Sequence, residues 1–171
     1  MKNILLIISL LFTLNLMANS SHHNLQKFNK EKNKEEFEVV KKYCDQNDSF
    51  SCYQLGIMYF HGDGTKKSIS NSKKTLKKAC ELKNENACFS LAQIYRKGTA
   101  LIQNLSKARK YYFLACENGN AKSCHNLAYM YETGYGIKID KQEAKKFYKK
   151  ACFDGYTKAC RNYRILHDKG E

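Results

Sequence analysis

The chain has 171 residues, 30 of them basic and 16 acidic, and a formal net charge of +14 at pH 7. That length suits one ordinary domain. The lack of proline and of any alternating strand pattern argues for uninterrupted helices and against a sheet architecture.

Residues 1–20 read as an export signal. Lys2 supplies a positive start, Ile4 to Leu14 a short apolar run, and Ala18-Asn19-Ser20 small residues for cleavage. The run is short for a membrane span. No cysteine follows it directly, which argues against a lipid anchor. The mature chain is expected to be secreted or periplasmic, soluble and without a transmembrane segment. Residues 21–30, with His22 and His23, read as a flexible, solvated segment. A first helix is expected over residues 31–44 as an N-terminal cap, burying Phe37, Val40 and Tyr43. Further helices are expected near 49–61, 71–83, 86–97, 106–118, 121–133, 141–154 and 157–168.

These helices belong to one repeating unit. Cys44, Cys80, Cys116 and Cys152 are each 36 residues apart, as are Cys52, Cys88, Cys124 and Cys160. A fixed period of this size marks a stacked repeat. Leu55, Leu91, Leu127 and Tyr163 keep the same step, then Gly56, Ala92 and Ala128, then Tyr59, Tyr95 and Tyr131. Cysteine, leucine, small residue and tyrosine fall at i, i+3, i+4 and i+7, one stripe of a helix. Gly62, Gly98, Gly134 and Gly170 close the segments and suit a left-handed cap. Each unit reads as helix, tight turn, helix, and residues 31–171 as one solenoid.

The pattern resembles the Sel1-like repeat, a relative of the tetratricopeptide repeat. Leu55-Gly56-x-x-Tyr59 followed by His61 to Gly64 carries the likeness, as do Leu91-Ala92-x-x-Tyr95 and Leu127 to Gly136. The stretches Ala108 to Gly119 and Ala144 to Gly155 carry it further. The paired cysteines make the chain similar to the secreted Helicobacter cysteine-rich protein family. The resemblance implies an all-α, right-handed α/α superhelix covering roughly residues 37–170.

An even cysteine count in an exported chain implies disulfides, and the repeated spacing names the pairs. They are Cys44–Cys52, Cys80–Cys88, Cys116–Cys124 and Cys152–Cys160. Zinc sites favour closer pairs. His61, His125 and His167 come from different units, so no metal or cofactor is expected. Asp45-Gln46-Asn47-Asp48-Ser49 contains N-x-S with an acid before it and resembles a bacterial glycosylation acceptor at Asn47. An ordinary helix end is the competing reading, since Asn and Asp favour turns and caps. Gly62-x-Gly64 and Gly134-x-Gly136 lack the strand that a phosphate loop needs, and read as turns.

Lysines concentrate on the second helix of each unit, at Lys73, Lys74, Lys77 and Lys78, then Lys107, Arg109 and Lys110, then Lys141, Lys145, Lys146, Lys149 and Lys150. They flank the apolar positions and form solvated outer faces. No nucleic-acid reading motif accompanies them. An acidic protein or an anionic envelope component suits an exported chain better; simple solubility is the other reading.

The family resemblance also implies β-lactamase or penicillin-binding activity. Ser70-Asn71-Ser72-Lys73 is a literal S-x-x-K. In a lysine-rich chain with eleven serines, about one or two such matches arise by chance. Neither S-D-N nor K-T-G occurs, and Ser70 suits a helix N-cap. No nucleophile or base is assigned.

The expected site is the concave face. Opposite the core stripe, three columns vary between units: Tyr53, Phe89, His125 and Arg161; Gln54, Ser90, Asn126 and Asn162; Ile57, Gln93, Tyr129 and Ile165. Repeats of this kind bind extended peptides in such a groove. Rings offer contact area, and amides bond main-chain groups. A binding module for a protein or peptide, acting as a monomer, is the leading reading.

Overall fold

The computed structural model describes residues 26–27, 29–98 and 103–170; every regular element among them is an α-helix. The stretch 29–45 forms α1. Then come α2 (Ser49–His61), α3 (Ile69–Glu81), α4 (Glu85–Lys97), α5 (Leu105–Glu117), α6 (Ala121–Thr133), α7 (Lys141–Phe153) and α8 (Thr157–Asp168). Residues 1–25, which include the expected signal segment, His22 and His23, lie outside the described residues.

The helices form a right-handed solenoid of hairpins. Contacts run mostly between sequence neighbours, strongest within the pairs α2–α3, α4–α5 and α6–α7. Among the described residues, α1 stands as a second helix without a first, and α8 as a first helix without a second.

Capping follows the period because the same residue chemistry recurs at each start. Asp48, Asn84 and Asn120 accept from the backbone N–H three residues on, at Ser51, Ala87 and Ser123. Ser68, Asn104 and Asp140 do the same for the alternate helices. A short polar side chain in extended backbone satisfies one orphan donor of the first turn. Ser68 holds the place expected of Ser70, which is exposed within the first turn of α3.

The disulfides join Cys44–Cys52, Cys80–Cys88, Cys116–Cys124 and Cys152–Cys160, with Cα–Cα separations of 4.4 to 4.8 Å. Each closes the turn between a second helix and the next first helix. That turn needs one left-handed residue, supplied in order by Asn47, Lys83, Gly119 and Gly155 at φ 67°, 70°, 101° and 89°. Asn47 is exposed at the tip of the first turn.

Two packed clusters form the core. Phe37, Val40, Leu55, Leu76 and Leu91 build the first; Tyr112, Leu127, Met130, Phe147, Tyr148 and Leu166 build the second. The small column is a seat for the helix that follows. A Cβ on Gly56 would lie 2.6 Å from Leu76 Cγ, so the glycine permits close packing of α3 on α2. Tyr43 was expected in the core but is 51% exposed. Its equivalents Ala79, Ala115 and Ala151 are fully buried, whereas no described helix precedes α1 to cover Tyr43. Lys78 was expected to be solvated, yet it is half-buried and donates to the Cys44 carbonyl at 2.7 Å. It caps the end of α1.

Candidate functional site

The first helices of the units, α2, α4, α6 and α8, carry the three variable columns. Their N-terminal part is apolar. Ile57 and Phe60 of α2, with Phe89, Ser90 and Gln93 of α4, border a depression of about 180 Å³ floored by Leu76. The Phe89 ring lies 6.1 Å from Tyr112, and Lys122 Nζ sits 5.1 Å over its face. The Gln93 side-chain oxygen accepts from Arg96 Nε and Nη2 at 3.2 and 3.0 Å. Gln93 thus keeps its amide N–H groups for other partners.

Further along, the face becomes polar. The Tyr112 hydroxyl is buried beside Arg96 and Asn126, with no hydrogen bond of ordinary geometry among the described residues. Burial pushes its ionisation up, against the pull of Arg96 and Asn126 close by. Tyr148 donates to Glu132 Oε2 at 2.6 Å. Burial first, and the Glu132 carboxylate second, hold that phenol firmly protonated. His125 lies between Tyr148 and Tyr156, with centroids at 5.3 and 5.0 Å, and its Nε2 is 3.4 Å from the Asn162 amide nitrogen. Burial lowers the His125 pKa, only partly offset by its hydrogen bond to Asn126. The ring is therefore neutral at pH 7.

Ile57, Phe89, Ser90 and Gln93 gather at one depression, and His125 meets Asn162 at the next junction. Tyr53 and Gln54 are half-buried, and the Tyr53 ring packs on the first core. Tyr129 is 51% exposed and Ile165 41%. Arg161 departs from its column, since it lines a cleft at the open C-terminal end with Arg164 and His167. No described helix covers this side of α8.

Sequence reasoning missed Tyr112, Tyr148, Arg96 and Glu132. The two tyrosines occupy the column of Leu76, one period apart, and entered the sequence reading only as part of the repeat stretches Ala108 to Gly119 and Ala144 to Gly155. Their rings are core, but their hydroxyls are polar groups that need partners. The exchange of leucine for tyrosine in that column was the available signal.

Ser70 is exposed, and Lys73 Nζ faces the Tyr95 ring at 5.7 Å. No hydrogen bond links the two among the described residues. No group of three His, Cys, Asp or Glu side chains able to hold a metal occurs among the described residues. No described helix is long and apolar enough to cross a membrane.

A disulfide-stapled stack of helical hairpins is a repeat protein of the tetratricopeptide-like class. The Sel1 repeat model matches residues 49–84, 86–120 and 121–153, and the chain belongs to the Sel1 repeat family. Such repeats are typically protein-interaction modules. A Sel1 repeat protein from Oxalobacter formigenes is 28% identical, with a TM-score of 0.70 over 81% of this chain and 57% of that one. This chain therefore spans little more than half of that relative. Cysteine-rich protein B of Helicobacter pylori is 30% identical, with a TM-score of 0.61 over 77% of this chain and 94% of that one. A protective antigen of uropathogenic Escherichia coli with an SLR fold is 24% identical, with a TM-score of 0.67 over 80% of this chain and 30% of that one, and shares the fold. A comparison with curated proteins gave no match. The four disulfides fit an exported protein.

Proposed function

We propose that the protein is an exported module that holds a short extended peptide segment of a partner along its inner, concave face. The observation that carries this is the sequence of environments on that face. The apolar depression at Ile57, Phe60 and Phe89 gives way to half-buried polar side chains at His125, Asn126 and Asn162. An extended peptide would place a side chain in the first and a main-chain carbonyl at the second, and amides bond main-chain groups well. Lys122 and Lys158 make the C-terminal half basic, which selects a segment with an apolar end and an acidic end.

The test is a pair of variants assayed against a captured partner. Gln93→Ala with Asn126→Ala should abolish binding while leaving the helical signal unchanged. Lys74→Glu with Lys110→Glu, on the second helices, should leave it intact. The reverse outcome would replace the groove with a basic adhesive surface. Binding should also weaken with salt, because exposed charges are screened beyond about 8–10 Å. A chromogenic cephalosporin tests the activity that the resemblance implies; no turnover is expected, and turnover lost in Ser70→Ala would assign a lactamase. Export also exposes Asn47 to a glycosylating host. There the native protein should carry a glycan that Asn47→Gln removes, and a bare intact mass would exclude it.

A further inference from the structure

The last unit breaks the repeat at the positions that receive the next helix. Leu55, Leu91 and Leu127 are nearly fully buried, but the equivalent Tyr163 is only half-buried. Gly56, Ala92 and Ala128 form the seats for following helices, and Arg164 stands in their place, exposed. Asp45, Glu81 and Glu117 are followed in their column by Phe153, which is 75% exposed. Cys152 and Cys160 are half-buried, whereas the other six cysteines are no more than 5% exposed.

A terminal repeat normally turns a polar face to water. This one presents rings as well as charge. Two clefts meet at Tyr163, of about 580 and 520 Å³. Phe153 and the lysines of α7 border one; Arg161, Arg164 and His167 border the other. Asp154 is the one carboxylate among the lining residues. Together they mark the place where the second helix of a fourth unit would lie.

We propose that this face of α7 and α8, uncovered among the described residues, is a second docking site, which takes an acidic amphipathic helix from a partner protein, seated as α3 is on α2. The apolar side of that helix covers Tyr163 and Phe153. Where Leu76 fills the seat at Gly56, the incoming helix must instead present a carboxylate to Arg164, because a buried unpaired guanidinium is costly. Glutamates on its flanks meet the lysines of α7. A second copy of this chain fits poorly, since its second helices are themselves lysine-rich and its net charge is +14.

The site is separate from the inner face, and its test distinguishes the two. The probe is a fluorescent helical peptide of about twenty residues, long enough to hold a helix, with leucine on one side and glutamate on the other. Anisotropy should show saturable binding to the full chain. Arg164→Glu with Phe153→Ser should weaken it at least about tenfold, and Arg164→Ala alone by less. Both positions are exposed, so circular dichroism should be unchanged. Gln93→Ala with Asn126→Ala should have no effect. Equal binding of a glutamine-for-glutamate peptide, or of a scrambled peptide of the same composition, would overturn the proposal. So would indifference to the Arg164 and Phe153 changes. Displacement of the peptide by phosphatidylglycerol vesicles with the same mutational losses would reassign the end to a lipid surface, and self-association abolished by Arg164→Glu would reassign it to a second copy.

Discussion

The junction of α6 with α7 and the end formed by α8 are built from the same columns, yet they behave differently. At the first, Leu127 and Ala128 receive α7, and Tyr148 is fully buried. At the second, Tyr163 and Arg164 receive nothing within the described chain. The comparison shows that a solenoid position has no fixed burial of its own. Its environment comes from the neighbour that the next unit supplies, as nearest-neighbour stacking requires.

The sharpest way to break the comparison is to truncate equivalent residues. Leu127→Ala should destabilise by about 2–5 kcal/mol, because it leaves a cavity in a closed interface. Tyr163→Ala should cost clearly less, since its surroundings are open. Urea unfolding of both variants checks this, and equal losses would mean that α8 is covered.

Next in size is the loss of a staple. A disulfide closing a loop with a sequence separation of 8 contributes about 2.5 kcal/mol in the chain-entropy model. Cys116→Ala with Cys124→Ala should lower stability by about that amount. The outer bond adds a kinetic contrast. Cys152–Cys160 should be reduced first under limiting dithiothreitol, because the attacking thiolate can reach it. Differential alkylation with mass mapping reads the order.

A smaller effect belongs to the caps. Asn120→Ala removes the bond to the Ser123 N–H and should cost about 1 kcal/mol. Tyr156, the equivalent residue before α8, makes no side-chain cap bond, so Tyr156→Asn should stabilise or be neutral.

The smallest is a pH effect. The His125 pKa is lowered on folding, chiefly by burial, so the unfolded chain binds the proton more readily. That sign means stability falls as pH drops below the ordinary value of 6.5 and is fully present above it. His125→Gln should flatten this dependence between about pH 5 and 7. An unchanged profile would place the acid sensitivity elsewhere.

Much of this was legible in the sequence because the period repeats the same chemistry. The stripe of cysteine, leucine, small residue and tyrosine located the hairpins and the staples, and the helix bounds differ by only one or two residues. The misplacements came from the ends of the stack and from side chains with two characters. Tyr43 was expected in the core with Phe37 and Val40, and Arg161 was assigned by column, but no described helix covers either. Lys78 read as solvated, although its long stem reaches the Cys44 carbonyl across the helix pair. Tyr112 and Tyr148 stood only within the repeat motif, and both rings are fully buried. Their hydroxyls, buried beside Asn126 and against Glu132, have no periodic signature, because a hydrogen-bond partner is set by three-dimensional packing.

The inner-face reading is tested most directly by site-specific photo-crosslinking in the native cell. A benzophenone residue replaces either Ser90 on α4 or Lys110 on α5. The account predicts one discrete adduct from position 90, lost on adding Asn126→Ala, and none of that mass from position 110. Capture from position 110 alone, or an adduct at position 90 that survives Asn126→Ala, would contradict it.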